Sequence, residues 1–260
     1  MSDAFLSRIF SLAQRTAVVV GGTGVLGGAL AEGLALAGAF VVVAGRDADR
    51  GLARLNAIRA AGGDGSFLAV DAVDRQSVHA LLDAATRTRG RVDILVNCAG
   101  VNSSAPYFDI ADDDWDKVLS TNLKSTHLGC QIFGQHMAGS GGGAILNIGS
   151  VSADKPLSKV FAYSASKAAV VNYTQNVARE LAPKGVRVNA LCPGFFPAEQ
   201  NRKILSPERT AAIMSQTPMN RFGNPEELVG AAILLCGSVA GSFITGTSVY
   251  VDGGFTGMRL

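Results

Sequence analysis

A tyrosine and a lysine stand four residues apart in the sequence, as Tyr163-x-x-x-Lys167. Positions i and i+4 of a helix lie on the same face, so the spacing predicts that the lysine ammonium lies near the tyrosine phenol. A free phenol has a pKa of about 10, and a nearby cation lowers that pKa because it favours the phenolate. Ser150 precedes the tyrosine and could orient a carbonyl or alcohol oxygen by a hydrogen bond. Together the three side chains could pass a proton to or from a carbinol oxygen.

The same spacing is common on helices in which the tyrosine packs and the lysine is solvated. The other three tyrosines, Tyr107, Tyr173 and Tyr250, have no lysine four residues on. The pair alone does not decide between packing and chemistry, so the interpretation depends on the elements that surround it.

Short apolar, β-branched runs alternate with helical patterns along the chain. Strands are predicted at 16–20, 40–44, 66–70, 92–96, 144–148, 186–191 and 248–251. Helices are predicted at 27–36, 47–61, 73–89, 113–137, 162–181 and 226–236, the fourth of them bent or broken near Ser120, and 193–218 is expected to be irregular and polar. This alternation predicts a single α/β domain over residues 1–260, a Rossmann-type doubly wound parallel sheet of about seven strands with helices on both faces.

The composition excludes several classes of protein. A net charge of +2 without a basic block argues against nucleic acid as a partner. The sequence contains no run of eighteen apolar residues, so no membrane span is expected. The four cysteines are far apart, which predicts buried free thiols and a reducing, cytoplasmic location. No metal cluster is recognisable, and the first fifteen residues do not have the pattern of a signal peptide.

A glycine-rich loop follows the first predicted strand, where ligands of such sheets bind. Glycines let the backbone approach a pyrophosphate, and the amino end of the next helix favours its charge. The loop therefore predicts phosphate binding, against the alternative of a merely tight turn. Its candidate cofactor-binding residues are Gly21, Thr23, Gly24, Val25, Leu26 and Gly27.

The second strand ends in Gly45 and Arg46, where an acidic side chain would bond the ribose 2′-hydroxyl of NAD. A guanidinium instead suits a 2′-phosphate, so the sequence favours NADP(H), with NAD(H) possible. The alternative is that Arg46 is a plain surface charge and that Asp47 caps the helix. Asp71, with Ala72 beside it, could accept a hydrogen bond from the adenine amino group.

Asn97, Ala99 and Gly100 follow the fourth strand and could wall the cofactor, although each is also a common turn residue. Asn122 lies in the middle of a predicted helix, where asparagine is unfavourable. A bend there would leave a main-chain carbonyl free to hold water; the alternative is a polar residue that faces solvent.

Over nearly its whole length the chain resembles the short-chain dehydrogenase/reductases. The resemblance rests on the glycine loop, Asn97-x-Ala99-Gly100, Asn122, Ser150, Tyr163-x-x-x-Lys167, Pro193-Gly194 and Asp252-Gly253-Gly254. It implies that Tyr163 is the acid/base, that Ser150 binds the reacting oxygen, and that Lys167 holds the nicotinamide ribose. It also implies that Asn122 holds a water and that the assembly is a homotetramer.

Two departures from the family pattern are clear. Val20 and Val25 stand where the family loop has a threonine and its middle glycine. After Pro193-Gly194, where the family has a threonine for the nicotinamide amide, this chain has Phe195 and Phe196, so main-chain amides would replace that threonine.

The run after Pro193 resembles the branch that includes D-mannonate oxidoreductases (fructuronate reductases). Gln200 and Asn201 could bond sugar hydroxyls and Arg202 could clamp a carboxylate, with Asn102 and Phe195 as further substrate contacts. The alternative is a polar lid with a solvated arginine, and a lid is expected over residues 193–222.

We therefore expect an NADP(H)-preferring oxidoreductase that interconverts a ketone and a secondary alcohol, on a keto sugar acid such as fructuronate. One alternative is a 3-oxoacyl-thioester reductase, which would need an apolar cleft and no Arg202. Another is a catalytically silent NADP-binding sensor, which would not need an intact set of Ser150, Tyr163 and Lys167.

Overall fold

One parallel sheet forms the centre of the molecule. The computed structural model describes residues 3–197 and 206–258. Its strands pair in the order β3-β2-β1-β4-β5-β6-β7, all in parallel. They are β1 (Thr16–Val20), β2 (Phe40–Gly45), β3 (Asp64–Ala69), β4 (Ile94–Asn97), β5 (Gly143–Ile148), β6 (Val186–Pro193) and β7 (Ser248–Val251).

Helices connect successive strands and cover both faces of the sheet. They are α1 (Asp3–Phe10), α2 (Val25–Leu36), α3 (Ala48–Ala60), α4 (Arg75–Arg89), α5 (Asp112–Leu119), α6 (Ser125–Gly139), α7 (Phe161–Leu181), α8 (Pro207–Ser215) and α9 (Val229–Cys236). A π-helical turn, Ser120–Lys124, joins α5 to α6, and a 3₁₀ turn, Pro225–Leu228, precedes α9.

The two faces of the sheet have separate apolar cores, and β1 contributes to both. Every residue of β1 is buried, and side chains of a strand alternate between faces. Val19 therefore packs in the core beneath α2, α3 and α9, while Val18 and Val20 pack in the core beneath α4, α6 and α7. This explains why the strand is a continuous apolar run rather than an alternating one.

The fold predicted from the sequence is confirmed, including the bend near Ser120, where the helix changes to π geometry. One prediction is wrong: residues 207–215 form α8 inside the stretch that was expected to be irregular. Ser206 caps this helix with its hydroxyl, which accepts a hydrogen bond from the Arg209 amide at 3.2 Å, and Pro207 occupies the first turn. These are ordinary signals of a helix start.

The strand order reverses between β1 and β4, which are neighbours in the sheet but not in sequence. Connections leave this point in opposite directions, so a crevice opens at the carboxyl ends of the strands. Within the described residues, no helix combines the length and the apolar character that crossing a membrane requires.

Candidate active site

A cleft of about 560 Å³ lies at the carboxyl ends of β1, β4, β5 and β6. It brings together residues that are distant in sequence. From the sequence-predicted set, its walls contain Gly21, Gly24, Val25, Leu26, Gly27, Gly100, Asn102, Ser150, Tyr163, Lys167, Pro193, Gly194, Phe195 and Phe196. The glycine loop and the tyrosine–lysine pair therefore face one space.

Helix α7 places Tyr163 and Lys167 on one face, as the spacing predicts. The lysine Nζ lies 5.6 Å from the centroid of the Tyr163 ring. Lys167 is buried, and its ammonium donates a hydrogen bond of 2.7 Å to the carbonyl of Ile148, the last residue of β5. A buried ammonium needs such a partner, and this one fixes the charge beside the phenol.

Ser150 lies two residues after the end of β5 and enters the cleft in an extended conformation. Its Oγ accepts hydrogen bonds from the Ser152 amide at 3.2 Å and the Ser152 hydroxyl at 3.1 Å. Because both contacts use acceptor positions, the Ser150 hydroxyl proton is left to donate to an oxygen in the cleft.

Asn122 lies in the π-helical turn, and it is fully buried rather than facing solvent. Its Oδ1 accepts from the Val101 amide at 2.8 Å, while its Nδ2 donates to the Val101 carbonyl at 3.0 Å and to Ser166 Oγ at 2.9 Å. Ser166 Oγ in turn donates to the Tyr163 carbonyl at 2.7 Å. Asn122 thus ties the loop after β4 to the helix that carries the tyrosine.

The main-chain carbonyl of Asn122 already has one partner within the helix. It accepts a hydrogen bond of 2.8 Å from the hydroxyl of Thr126. A carbonyl oxygen has a second lone pair, so this contact leaves one acceptor position for a water.

The glycine loop forms a cradle that side chains would fill. Gly21 has φ +85°, and a Cβ on it would lie 2.6 Å from the Ala99 nitrogen. A Cβ on Gly27 would lie 2.3 Å from the Gly21 carbonyl oxygen. The first turn of α2, after Gly24, contains no acidic residue. A free helix amino end behind a glycine cradle fits a pyrophosphate group.

Val25, one of the two departures in the glycine loop, does not close the cradle. Val25 is 40% exposed and Leu26 half-buried, and both line the cleft beside the helix start. Their side chains leave the amides of the first turn in place.

The adenosine end of the expected site lies beyond β2 and β3. A Cβ on Gly45 would lie 2.8 Å from Thr23 Oγ1, so the glycine makes room for that threonine. Arg46 is exposed. Asp47 caps α3, and its carboxylate accepts a hydrogen bond of 3.0 Å from the Arg50 amide. This capping role is the one that the alternative to cofactor binding predicted for Asp47.

The carboxylate of Asp71 accepts a hydrogen bond of 3.1 Å from the Val73 amide. Asp71 is exposed and Ala72 is half-buried beside it. The remaining carboxylate oxygen has no partner within the described residues, so it could still accept from an adenine.

The side chain of Asn97 does not wall the cleft, and this corrects the expectation. It is buried, and its Nδ2 donates to Asn147 Oδ1 at 2.9 Å. Asn97 and Asn147 are register partners on β4 and β5, which places the two amides side by side. The backbone after it, at Ala99, contacts the glycine cradle instead.

The substrate end of the cleft has apolar walls. Phe195 packs edge-on against Phe255 with ring centroids 5.2 Å apart, and Phe196 lies against Gly223, where a Cβ would meet its ring. Gln200, Asn201 and Arg202 lie outside the described residues. Residues of this wall that were not predicted from the sequence include Leu157, Val160, Arg209 and Ile213. For the last two, the helix-start signal at Ser206-Pro207 was the available clue.

All four cysteines are free thiols; Cys130, Cys192 and Cys236 are buried as expected, whereas Cys98 is half-buried. Cys98 lines the cleft, and burial raises its pKa to about 11 although the Lys167 ammonium opposes the rise. Burial also raises the pKa of Cys192 to about 11 and the pKa values of Cys130 and Cys236 to about 12. None of them is a thiolate near neutral pH. No group of three or more potential metal ligands occurs in the part of the chain that the structure describes.

Residues 23–256 match a family model described as enoyl-(acyl carrier protein) reductase. The chain belongs to the short-chain dehydrogenase/reductase family. This confirms the enzyme class, an oxidoreductase acting on CH–OH groups.

The relatives of this short-chain dehydrogenase/reductase include two bacterial proteins of similar length. One is an uncharacterised oxidoreductase, UxuB, of Bacillus subtilis (strain 168), 38% identical over 94% of this chain and 96% of the relative. The other is gluconate 5-dehydrogenase of Gluconobacter oxydans (strain 621H), 36% identical over 95% of this chain and 97% of the relative.

A solved structure of gluconate 5-dehydrogenase from Burkholderia cenocepacia J2315, in complex with NADP and tartrate, superposes with a TM-score of 0.92. It is 32% identical, over 98% of this chain and 100% of that one. Its NADP agrees with the cofactor expected here. These names support the broader resemblance and not specifically the mannonate oxidoreductase branch.

Proposed function

We propose that this enzyme interconverts a ketone and a secondary alcohol on a polar sugar acid, and that it prefers NADP(H). The observation that carries the proposal is that Ser150, Tyr163 and Lys167 line the same cleft as the glycine loop. A proton donor and an oxygen-orienting hydroxyl for the substrate then lie in the same space as a phosphate cradle for the dinucleotide.

The side chains of the protein carry out the proton transfer. In reduction, the substrate carbonyl accepts hydrogen bonds from Ser150 and Tyr163, and Tyr163 gives its phenol proton to the oxygen as the C–O double bond becomes single. The Lys167 ammonium, held by Ile148, stabilises the phenolate that remains. A nicotinamide cofactor, when bound, would supply the hydride that the carbonyl carbon accepts; in oxidation both transfers would reverse.

The residues that would hold the dinucleotide extend from the cleft to the end of β2. The Gly21–Gly27 cradle would take the pyrophosphate, and the exposed Arg46 would take a 2′-phosphate. No acidic side chain occupies the end of β2 to bond a ribose 2′-hydroxyl, because Gly45 stands there. This supports NADP(H) over NAD(H).

The sugar-acid class is supported by the relatives that are named gluconate 5-dehydrogenase. A gluconate-like substrate and a mannonate- or fructuronate-like one share a carboxylate and a chain of hydroxyls. Comparing the rates of reduction of 5-keto-D-gluconate and D-fructuronate would decide between these two kinds of substrate.

The test of the proposal is Tyr163→Phe. We expect turnover of the ketone to fall by about 10²–10⁴-fold, because the phenol proton is lost, while NADPH binding measured by fluorescence stays near the wild-type value. Tyr173→Phe is the matched control, since this tyrosine lies on the same helix but bonds His127 at 2.9 Å, outside the cleft. Near-normal turnover by Tyr163→Phe would refute the mechanism.

A 3-oxoacyl-thioester reductase is the second candidate. The apolar walls of the cleft favour it, and the description of the family model names an acyl-carrier-protein substrate, although for a different reaction. Faster reduction of an acetoacetyl thioester than of either keto sugar acid, with NADPH, would decide for it. A lack of NADPH oxidation across a broad carbonyl panel would instead support a silent sensor.

The homotetramer, the cytoplasmic location and the lid over residues 193–222 remain predictions.

A further inference from the structure

Helix α8 presents one face to the cleft. Arg209 and Ile213 are four residues apart, so they lie one above the other, and both line the cleft wall. Ile213 is buried, and its carbonyl accepts a hydrogen bond of 2.9 Å from the Thr217 hydroxyl. The Ser206 cap fixes the other end of the helix. The side chain of Arg209 is thus held at the wall by a helix anchored at both ends.

The cleft has two cationic side chains and no carboxylate among the described residues that line it. The first, Lys167, is engaged by Ile148 and lies beside Tyr163. The second is Arg209. Its guanidinium has no hydrogen bond or ion pair with any residue in 3–197 or 206–258.

Two other arginines of the molecule differ from Arg209 in this respect. Arg221, which follows α8, forms two hydrogen bonds with the Glu227 carboxylate, at 2.8 and 2.6 Å. Arg187 donates to the carbonyls of Leu235, Ile244 and Gly237. Arg209 is half-buried among the apolar side chains of the cleft, so it is only partly hydrated, and it has no polar partner in the part of the chain that the structure describes.

We propose that Arg209 binds the carboxylate of the substrate and so selects sugar acids over neutral polyols. This assignment rests on the function proposed above. A guanidinium holds a carboxylate bidentately, and an apolar surrounding strengthens the interaction because water competes less. A neutral polyol has a CH₂OH group in place of the carboxylate and gains nothing comparable. Arg209 therefore acts in specificity and not in proton transfer.

The test uses matched substrate pairs in the direction of oxidation, with NADP⁺ as the hydride acceptor. D-gluconate is compared with D-glucitol, and D-mannonate with D-mannitol, because the members of each pair differ only in a carboxylate against CH₂OH. The variants are Arg209→Gln and Arg209→Lys. Arg87→Gln is the control, since Arg87 is exposed on α4 and the substitution makes the same change in net charge.

The wild type is expected to favour the acid of at least one pair. Arg209→Gln should raise the KM for that acid by about 30-fold, equivalent to about 2 kcal/mol, with kcat changed by less than about threefold. The kcat/KM for the polyol and the KM for NADP⁺ should stay unchanged. Arg209→Lys should recover part of the affinity, as a point charge without the planar fork. Arg87→Gln should match the wild type.

Three results would overturn the inference while leaving the oxidoreductase intact. The first is an equal loss of kcat/KM for acid and polyol in Arg209→Gln. The second is a wild type that does not distinguish the acid from the polyol. The third is a raised KM for NADP⁺ in Arg209→Gln, which would assign Arg209 to the cofactor. By contrast, a wild type that is inactive on both pairs but reduces an acetoacetyl thioester in a Tyr163-dependent way would overturn the proposed substrate class itself, and the inference with it.

Discussion

The centre of the cleft and its two ends differ in how their polar side chains are partnered. At the centre, Lys167 bonds the Ile148 carbonyl, and Asn122 bonds Val101 and Ser166. At the ends, the guanidinium groups of Arg46 and Arg209 have no hydrogen bond or ion pair with any part of the protein that the structure describes. The protein itself fixes the proton-transfer groups, whereas the ends keep cations whose partners would be supplied by ligands.

This difference has a physical reason. A group that must stabilise charge during a reaction is most effective when it is already oriented, because no reorganisation is then needed. A group that recognises a ligand is most effective when its favourable contact forms only on binding. The first requirement favours a buried, fully bonded centre, and the second favours exposed or half-exposed ends. Substitutions at the two kinds of site should therefore have different signatures.

Of the three substitutions that compare the centre with its surroundings below, Asn122→Ala at the centre should have the largest effect. The Val101 amide and carbonyl and the Ser166 hydroxyl would lose partners in a buried place, so we expect the free energy of unfolding to fall by about 1–3 kcal/mol. Because Ser166 links this asparagine to the helix of Tyr163, kcat should also fall, by roughly tenfold to a hundredfold. Urea unfolding and steady-state kinetics measure the two effects.

The control for that substitution is Asn172→Ala, on the exposed side of α7, where the asparagine side chain accepts a hydrogen bond from Asn176. Its stability and kcat should stay near the wild-type values. A destabilised Asn122→Ala enzyme with a normal kcat would show that the asparagine supports the fold alone, which would weaken the contrast between centre and ends.

A smaller effect is expected at the adenosine end. Arg46→Ala should raise the KM for NADPH by about tenfold and leave the KM for NADH unchanged, because only NADPH carries the 2′-phosphate. The KM for NADPH should also rise with salt in the wild type, since Arg46 is exposed and its charge is screened. Arg50→Ala, an exposed arginine one turn along α3, is the control. Equal losses for both cofactors would remove the argument for NADP(H).

The smallest effect uses Cys98 to report on the charge at the centre. Burial holds the pKa of this thiol near 11, and the Lys167 ammonium keeps it from rising further. Alkylation by iodoacetamide requires the thiolate, so its rate should increase with pH up to about 11. At pH 9, Lys167→Met should slow the reaction by roughly threefold, because the thiol pKa rises.

Mass spectrometry of the modified peptide measures that rate for Cys98 separately from the three buried cysteines. Lys184→Met, in the turn after α7, should leave the rate unchanged. An unchanged rate in Lys167→Met would mean that the ammonium charge does not reach the cleft wall at Cys98.

Local patterns in the sequence were sufficient for most of the fold. The β-branched run of β1 ends at glycines, and asparagine is unfavourable inside a helix, so both β1 and the bend near Ser120 were predictable. Helix α8 was not predicted because it is short and has a single buried residue, Ile213. Its apolar stripe is too brief to show a helical period among polar neighbours.

Within the site, too, local features could be predicted from the sequence and non-local ones could not. Tyr163 and Lys167 meet through the spacing of one helix, which a sequence shows directly. Asn97 is different, because the last residue of a strand can face the cleft or the core. Its orientation depends on β4 pairing with β5 in the register that opposes Asn97 to Asn147. Register between strands that are nearly fifty residues apart is not a local property, so the sequence alone could not supply it.

The π-helical turn at Ser120–Lys124 constrains how this chain can change in length. Its wider winding holds one residue more than an ordinary helical turn, and an α-helix advances about 100° for each residue. Deleting a single position there would rewind the segment and rotate all of α6 about its axis, turning Leu128 and Phe133 off the sheet. Homologous sequences should therefore vary in identity across this turn while keeping the number of residues between Asp112 and Gly139 constant.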